Sequence, residues 1–509
     1  MAVTHSKILP LEGLAETIAE HKAKGRRVVL CHGIFDLLHP GHIRHFEAAR
    51  REGDVLVVTL TPDRYVNKGP GRPVFNERLR LESIAALESV DHVALNQWPT
   101  AVETIHLLKP DVYAKGDEYR AREQDLTGMI FEEERAIVGE GGHLHFTTDV
   151  TFSSSQLLNA HFDVFSPEAT AFLEDFRGRY SADDVIGLLK SLASLRVVVV
   201  GDAIVDEYHF CRAYGMASKT ATIAAQLERE ESYAGGAMAV ANHVAGFCEQ
   251  VELVTCLGGL DTREDFIRSQ LRPNVEPVFH VRPDAPTTTK RRYVHSFLVT
   301  KLFEITRFND RPLPPEIEEQ VRRDLERRLG NADVVVVADF GQGFLGPTSI
   351  DAISSRARFV ALNAQTNAIN HGYNVVTSYP RADYVCIDAE EARLAVRDRS
   401  APLTDVIDRL AVQLGTSLFA VTRGPEGSMV RDADGDVATI PTFTREVVDT
   451  TGAGDAFLAL TAPCASLGCE AELLGFVGNA VGALAVRIVG NKESVEPTQF
   501  YPFVTALLK

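Results

Sequence analysis

The sequence predicts an α/β fold built from two mostly parallel sheets. Its 509 residues are too many for one ordinary hydrophobic core. Short apolar runs alternate with stretches of helical apolar spacing in both halves of the chain, which is typical of βαβ units. Between the two series, residues 161–194 are helical in character and contain no strand-like run. We therefore expect domains at 1–160 and 195–509, joined by a helical connector at 161–194.

The first domain opens with a strand, a helix and a second strand. "RRVVLC" and "DVLVVTL" are apolar runs typical of buried strands. "HIRHFEAARREG" between them has helical spacing and ends at Gly53, a residue that commonly stops a helix. "DHVALN", "DVYAKG" and "GGHLHFT" continue the series to about residue 150. Ligands of open parallel sheets bind at the carboxyl ends of the strands, so we expect residues 33–42, which follow the first strand, to face a ligand.

The stretch "GIFDLLHPGH" at 33–42 is suited to binding phosphate. Glycine lets backbone amides approach phosphate oxygens, and the following helix begins with partial positive charge. His39 and His42 can donate hydrogen bonds to a phosphate whose negative charge grows during phosphoryl or nucleotidyl transfer. Two isolated histidines at this spacing would more often be turn and cap residues. Their position directly after a strand favours the phosphate-handling role.

The string "GxFDxxHxGH" resembles the signature of cytidylyltransferase-like nucleotidyltransferases. The resemblance implies a Rossmann-like domain in which His39 and His42 are catalytic and in which Gly33, Ile34 and Phe35 bind the nucleotide. Asp36 would either contact the substrate or hold the loop, and the sequence does not separate these two roles.

Three further segments resemble parts of the same family. In "NKGPGRPVF", the resemblance implies that Lys68 acts in catalysis and that Arg72 binds substrate phosphate. In "LKPDVYAKGDEY", Lys115 would border the nucleotide. "TFSSSQLLN" lies where the family has a helix start near the nucleotide phosphates, which would involve Ser153, Ser154 and Ser155. Serine is also an ordinary helix N-cap, and the basic residue that follows in many members is absent here.

The second domain repeats the α/β pattern. It begins with "RVVVVGDAIVDEY" and continues through "VELVTCLGG", "ADVVVVADF", "RFVALNA", "DYVCID" and "LFAVTRG". These apolar runs alternate with helical segments, so we expect a second, mostly parallel sheet.

"DTTGAGDAF" at 449–457 combines an anion-binding loop with a carboxylate. Gly452, Ala453 and Gly454 are small enough for their amides to form an anion-binding concavity at a helix start. Asp455 can accept the proton of a substrate hydroxyl as it attacks a γ-phosphate. The whole string resembles the signature of ribokinase-type (PfkB) sugar kinases, which implies a ribokinase-like α/β domain with Asp455 as the catalytic base.

Other residues of this half are assigned by the same resemblance. Those that would bind the sugar are Asp206 in the opening strand "VVVVGDAIVDEY", Gly235 and Gly236 in "YAGGAMAVANHVA", and Asn242 on the next helix. Those that would bind the nucleotide are Thr422 and Gly424 in "VTRGPEGSMV", the loop 452–454, and Asn479 near the adenine.

The metal motif departs from the common pattern. Many members carry N-x-x-E to organise magnesium, whereas "CIDAEEARLA" has Asp388 in place of Asn and retains Glu391. Asp can serve magnesium as well as Asn can. "ALNAQT", which includes Asn363, stands where related heptose kinases often have Asp-Pro-Lys. These changes leave open an alternative in which only one domain is catalytic and the other is a scaffold or a sensor of nucleotide or sugar phosphate.

Together the two halves resemble bifunctional heptose 7-phosphate kinase and heptose 1-phosphate nucleotidyltransferase proteins, with the order of the domains swapped. The resemblance implies that a sugar phosphate is phosphorylated with ATP and that a nucleotidyl group then passes from an NTP, either ATP or CTP, to the sugar 1-phosphate. Mg²⁺ would assist both steps because both gather negative charge on phosphoryl oxygens. A homo-oligomer, a dimer, is also expected by resemblance.

Composition and charge exclude other classes of function. The formal net charge of −18 argues against a binder of nucleic acid or anionic membranes. The seven scattered cysteines form no C-x-x-C pair, as expected for reduced thiols. The N-terminal segment lacks the apolar core of a signal peptide, and no apolar run reaches the roughly 18 residues of a membrane span. We expect a cytoplasmic protein whose partners are sugar phosphates and nucleotides.

Overall fold

Two units, each with its own sheet framework, make up the part of the chain that the computed structural model describes: residues 6–66, 72–117, 129–147, 165–216, 219, 222–297, 299–367 and 370–509. The first unit comprises Met1–Ser166 and Thr498–Lys509, and the second comprises Pro167–Pro497. Both units combine helices with predominantly parallel sheets, which confirms the predicted α/β class.

The first unit is built on a five-stranded parallel sheet with the order β3-β2-β1-β4-β5. Its strands are β1 (Val28–Gly33), β2 (Val55–Leu60), β3 (His92–Leu95), β4 (Val112–Gly116) and β5 (His143–Thr147). Its helices between residues 6 and 147 are α1 (Leu11–Ala23), α2 (Pro40–Arg50), α3 (Glu77–Ala85), α4 (Val102–Leu108) and α5 (Met129–Gly139).

Strand β1 is apolar throughout because both of its faces are buried. Val28 and Leu30 enter one apolar cluster, whereas Val29 and Cys31 enter the cluster on the other face. The chain runs outward from β1 in both directions of the sheet, first to β2 and later to β4. This reversal of strand order leaves a crevice at the carboxyl ends of β1 and β4, which is where ligands bind in such sheets.

From residue 165 onward, where the structure describes it, the segment predicted as a connector contains two α-helices. It contains α6 (Pro167–Arg177) and α7 (Ala182–Ser191), and both belong to the second unit. The ring of Phe176 on α6 stacks on that of Phe476 with centroids 4.4 Å apart. Arg179, between the two helices, forms an ion pair with Glu472. These two helices therefore contribute to the core of the second unit.

The second unit has a nine-stranded sheet with the order β10-β9-β6-β13-β14-β15-β16-β17-β18, and its strands from β10 to β16 are parallel. Its nine strands are β6 (Arg196–Gly201), β9 (Gln250–Gly258), β10 (Val275–Arg282), β13 (Val334–Asp339), β14 (Val360–Ala364), β15 (Tyr384–Asp388), β16 (Leu418–Thr422), β17 (Ser428–Arg431) and β18 (Val437–Ile440). The remaining helices are α8 (Ala237–Ala245), α9 (Glu264–Gln270), α10 (Pro315–Leu329), α11 (Pro347–Arg356), α12 (Ala389–Val396), α13 (Leu403–Leu414), α14 (Ala453–Ser466), α15 (Ala471–Ala485) and α16 (Pro497–Leu507), of which α16 from Thr498 onward groups with the first unit.

A separate four-stranded sheet, which we call the lid sheet, was not predicted. Its order is β12-β11-β7-β8, from β7 (Ala203–Met216), β8 (Ile223–Gly236), β11 (Thr288–His295) and β12 (Lys301–Arg307). The run "VVVVGDAIVDEY" was interpreted as one strand, but Asp202 divides it between the two sheets. The carboxylate of Asp202 accepts hydrogen bonds from the amides of Phe340, at 2.8 Å, and Gln342, at 3.3 Å, which fixes the chain where it passes between the sheets.

Within the described part of the chain, no helix combines the length and the apolar composition needed to cross a membrane.

Candidate active sites

His39 and His42 lie together at the start of α2, after the first strand, as the sequence predicts. His39 caps the helix, because its Nδ1 accepts a hydrogen bond from the amide of Gly41 at 3.1 Å. The two imidazole rings stack with centroids 3.9 Å apart. An acceptor Nδ1 requires the proton of the neutral His39 ring to lie on Nε2, so that atom is the donor. The cap role and a donor role therefore coexist in one side chain.

The backbone before these histidines is shaped by Gly33 and Phe35. Phe35 has a positive φ of 48°, which is uncommon outside glycine. Its ring packs against Phe46, with centroids 4.9 Å apart, and edge-on against His42 at 5.3 Å. A Cβ at position 33 would come within 2.9 Å of the Phe35 ring. Gly33 thus allows Phe35 to fold back and support His42, while Ile34 presents its carbonyl to Arg80.

Asp36 and Arg72 are buried against each other. Arg72 Nη1 lies 3.8 Å from Asp36 Oδ2, and the two side chains are 2% and 4% exposed. Asp36 Oδ1 accepts a hydrogen bond from the amide of Phe75 at 3.1 Å. Of the two roles left open by the sequence, these contacts favour Asp36 as a residue that holds the loop. Arg72 is enclosed in the protein, and this burial lowers its pKa despite the opposing charge of Asp36.

Arg80 was missed by the sequence analysis. Its guanidinium is fully buried and donates hydrogen bonds to the carbonyls of Ile34 and Thr61, the latter at 2.8 Å, and to Asp63 Oδ1 at 2.6 Å. It therefore ties together the loops that follow β1 and β2. The available signal was an arginine within "NERLRLESIAAL", a helix whose other buried residues are apolar.

Lys115 lies near the end of β4, next to the crevice, and its contact with a nucleotide stays a prediction. Its Nζ forms an ion pair of 2.9 Å with Glu133 Oε2 of α5, and both side chains are largely buried. Burial, and after it the charge of Lys115, lowers the pKa of His32 and of His45 to about 4. These two histidines are therefore neutral at physiological pH. Lys68, Ser153, Ser154 and Ser155 lie outside the described residues.

In the second unit, Asp455 lies in the first turn of α14, after the glycine-rich loop. Gly452 has a φ of 84°, and a Cβ there would meet Asn491 Oδ1 at 2.1 Å, so only glycine fits. Ala453 and Gly454 begin the helix, and a Cβ at Gly454 would meet nothing within 4 Å. The loop can therefore present backbone amides to an anion. Loss of hydration, and after it the carboxylate of Asp206, raises the pKa of Asp455 to about 7.

Asp206 projects from β7 of the lid sheet and is buried. It forms an ion pair with Arg292 and accepts a hydrogen bond from Asn491 Nδ2 at 3.2 Å. A Cβ at Gly235 would lie 2.1 Å from Asp206 Oδ2, and one at Gly236 would lie 2.5 Å from the carbonyl oxygen of Asp202. Gly235 therefore makes room for the Asp206 side chain, and Gly236 makes room for the backbone at Asp202.

Asn242 and Asn479 are engaged by backbone groups. Asn242 donates to the carbonyl of Gln270 at 2.9 Å and accepts from the amide of Arg272 at 3.0 Å. Asn479 Nδ2 donates to the carbonyls of Ile440 and Pro441 at 2.8 and 3.0 Å. These hydrogen bonds show that both side chains position loops. Contact of either side chain with a ligand stays a prediction.

Thr422 and Gly424 border a cleft that they share with Asp388 and Arg393. Asp388 is the N-cap of α12, and Glu391 completes a capping box: Glu391 Oε2 accepts from the amide of Asp388 at 2.9 Å. Glu391 Oε1 accepts from the amide of Thr366 at 3.0 Å. Burial, and after it the charge of Asp388, raises the pKa of Glu391 to about 8. Among the described residues, no three His, Cys, Asp or Glu side chains are grouped closely enough to hold a metal ion by themselves.

Asp449, the first residue of the "DTTGAGD" string, was also missed as a functional residue. It accepts hydrogen bonds of 2.8 Å from Tyr208 of β7 and from Lys301 of β12. It also accepts from the amides of Thr451 and Gly490, each at 3.0 Å. Asp449 therefore fastens two strands of the lid sheet to the anion-binding loop. The ammonium of Lys301 and these donors keep the pKa of Asp449 below its usual value against the opposing effect of burial.

Two family profiles match the chain in the regions that hold these sites. Residues 194–499 match the pfkB family carbohydrate kinase profile, and residues 30–157 match the cytidylyltransferase-like profile. The solved structures with similar folds include phosphofructokinase-2 from Escherichia coli, with 13% identity, a TM-score of 0.49 and coverage of 61% of this chain and 100% of that one.

Curated relatives include proteins named Bifunctional protein HldE. The one from Trichlorobacter lovleyi is 47% identical over 116 residues, which are 22% of this chain and 24% of that protein. The one from Geobacter metallireducens is 27% identical over 320 residues, which are 62% of this chain and 64% of that protein. The match thus spans about a quarter of the first relative and less than two thirds of the second. The match to the kinase profile covers more than half of this chain and includes both Asp206 and Asp455. This chain therefore belongs to the pfkB family of carbohydrate kinases.

Proposed function

We propose that this protein is a bifunctional enzyme that makes a nucleotide-activated sugar. The second unit phosphorylates a sugar phosphate with ATP, and the first unit transfers a nucleotidyl group from an NTP, either ATP or CTP, to the resulting sugar 1-phosphate. The observation that carries the proposal is Asp455, a carboxylate with a pKa of about 7 at the start of a helix and near the sugar-side carboxylate Asp206. The resemblance to bifunctional heptose enzymes makes a heptose 7-phosphate the first sugar to test.

In the kinase step, Asp455 accepts the proton of the sugar hydroxyl. The hydroxyl oxygen forms a bond to the γ-phosphorus of ATP, the bond from that phosphorus to the bridging β-γ oxygen breaks, and ADP leaves. A pKa near 7 suits a general base, because the group is substantially ionised at neutral pH and still basic enough to take a proton. The amides that follow Gly452 would stabilise the charge that develops on the transferred group.

Magnesium fits the carboxylates on the nucleotide side. Burial, and after it the charges of Asp388 and Asp455, raises the pKa of Glu391 to about 8, so a cation bound here would offset the charges of these carboxylates. Mg²⁺ is commonly held by one or two carboxylates together with substrate phosphates, which agrees with the lack of a closed three-residue cluster among the described side chains. Asp388 and Glu391 would hold the ion, which would supply charge neutralisation on the phosphoryl oxygens.

In the transfer step, His39 and His42 would donate hydrogen bonds to the phosphates of the NTP. An oxygen of the sugar 1-phosphate forms a bond to the α-phosphorus, the bond from that phosphorus to the bridging α-β oxygen breaks, and pyrophosphate leaves. Lys115 borders the crevice in which the nucleotide would lie, while Asp36 and Arg72 hold the loop. Lys68 and the serines 153–155 would complete the phosphate contacts.

Separate measurement of the two products tests the proposal. The protein, Mg²⁺ and ATP are offered a panel of heptose 7-phosphates and other sugar phosphates, and ADP and pyrophosphate are followed for each NTP. Asp455→Asn should slow ADP formation about 10²–10⁴-fold and leave transfer to an added sugar 1-phosphate intact. His42→Ala should slow pyrophosphate release about 10²-fold or more and leave ADP formation intact. Loss of both activities in either folded variant contradicts two independent sites.

A second candidate function is suggested by Glu391, whose two carboxylate oxygens are both engaged by backbone amides. A glutamate committed to a capping box is a weaker metal ligand, so the second unit could serve as a sugar-phosphate sensor while only the first unit is catalytic. Pyrophosphate release from an added sugar 1-phosphate, without ADP formation from any sugar, would support this candidate.

A homodimer is part of the proposal. The lid sheet carries exposed apolar side chains that include Tyr214, Ile223, Phe303 and Ile305, each at least 49% exposed. Exposed apolar patches mark association surfaces. Sedimentation of the protein at micromolar concentration measures its oligomeric state, and a monomer would contradict this part.

A further inference from the structure

Lys290 lies on the sugar side of the kinase site. It belongs to β11, and its cross-strand neighbour on β7 is Asp206. Directly paired residues of neighbouring strands project to the same face of a sheet, so Lys290, Asp206 and Arg292, two positions further along β11, share one face. The ion pair between Arg292 and Asp206 confirms that these side chains meet. Lys290 therefore extends toward the space that the sugar would occupy.

Within the described part of the chain, Lys290 differs from the other basic side chains of the lid sheet because it forms no ion pair with a carboxylate. The lysines and arginines on the four strands that form ion pairs are Arg212, Arg229, Arg291, Arg292, Lys301 and Arg307. Among the described residues, Lys290 has no carboxylate within salt-bridge distance, and its nearest aromatic contact is the ring of Phe340, 5.9 Å from Nζ. The residue as a whole is nonetheless partly buried.

A partly buried lysine that lies near carboxylates but forms no ion pair with them is able to bind an anionic ligand. Burial of such a cation is favourable only when an anion accompanies it, and the contact with the Phe340 ring is a weak substitute. Arg292 cannot serve as this cation, because Asp206 and Glu304 both bind it. The positive charge of Lys290 also reaches the reaction centre, where it lowers the pKa of Asp455.

We propose that Lys290 binds the phosphate that the sugar already carries, so that it selects phosphorylated over unphosphorylated sugars. This inference rests on the proposed kinase function and deepens it. Lys290 lies on the sheet of Asp206, whereas the transferred phosphoryl group has its own candidate anion-binding loop at 452–454 and the nucleotide has the cleft at Thr422 and Gly424. The sugar's own phosphate is therefore the anion for which Lys290 is available.

The test compares a heptose 7-phosphate with the same heptose lacking phosphate, in the full-length protein. Lys290→Met keeps the length of the side chain and removes its charge, and Lys290→Arg restores the charge. Arg307→Met is the matched control, since it removes an exposed cation of the same sheet. Initial rates of ADP formation give kcat and KM, and thermal unfolding with and without the sugar phosphate, in the absence of ATP, gives binding without turnover.

We expect Lys290→Met to raise KM for the phosphorylated sugar roughly 10- to 100-fold with little change in kcat, and to abolish the stabilisation that the sugar phosphate confers. Lys290→Arg should recover part of the loss, and Arg307→Met should match the unaltered protein. An unchanged KM for the phosphorylated sugar overturns the inference. A fall in kcat alone for both sugars also overturns it, and would assign Lys290 to the transferred phosphoryl group. If the unaltered protein phosphorylates no sugar and no sugar phosphate stabilises it, the proposed kinase function fails as well.

Discussion

Asp455 illustrates how a single residue sets the conditions under which the kinase works. As the proposed base, it must be ionised, and its pKa is raised to about 7. We therefore expect kcat/KM for sugar phosphorylation to fall tenfold per unit as pH drops below about 7 and to level off above it. Removal of the positive charge in Lys290→Met should move the midpoint to higher pH. Initial rates between pH 5.5 and 9 measure both effects, and a profile with no change in slope near pH 7 would contradict the role of Asp455.

At this scale the sequence predicts residues within local motifs better than residues defined by pairing. His39, His42, Asp206 and Asp455 stand in short strings whose spacing points to phosphate chemistry. The structure places His39, His42 and Asp455 at helix starts and Asp206 on a strand, where it forms an ion pair with Arg292. The role of Lys290 follows only from the register of β11 against β7, which pairs it with Asp206, 84 positions earlier in the sequence. No local pattern carries that information.

Helix α3 is an element whose stability should depend on one buried charge. Arg80 holds the loops after β1 and β2, and its removal leaves their carbonyls and Asp63 without their donor. We expect Arg80→Met to destabilise the first unit by about 3–5 kcal/mol and to reduce nucleotidyl transfer. Arg78→Met on the same helix, with a side chain 82% exposed, should cost less than about 1 kcal/mol. Urea unfolding measures both changes, and equal stabilities for the two variants would contradict the assigned role.

The elements themselves were predicted unevenly. Strands of the two parallel sheets are continuous apolar runs because both of their faces are buried, so they stand out in the sequence. The outer parts of β7 and β8 are largely exposed, and "QLEREE" in β8 has no apolar alternation. The lid sheet was missed for that reason, although it carries Asp206, Lys290 and the partners of Asp449.

For the whole molecule, acid should weaken both units together. His32 in the first unit and His243 in the second have pKa values lowered from 6.5 to about 4, in each case mainly by burial. Both therefore bind a proton more readily when unfolded, so their contribution is fully present above about pH 6.5 and is lost as pH falls toward 4. Each accounts for a loss on the order of 3 kcal/mol.

Thermal unfolding between pH 7 and 4.5 checks this expectation. Both units should lose stability over that range, and His243→Gln should flatten the dependence of the second unit alone. A first unit whose midpoint does not move between pH 6.5 and 4.5 would contradict the buried, neutral state of His32.

The division of the chain also has a consequence for its synthesis. The first unit takes in Thr498–Lys509, a segment that includes the buried Phe503 and Leu507, so the second unit is an insertion within it. On the ribosome, the loop with His39 and His42 is made before the second unit, whereas Thr498–Lys509 of the same unit is made after it. The loop must therefore wait through the synthesis of the second unit for a helix of its own unit.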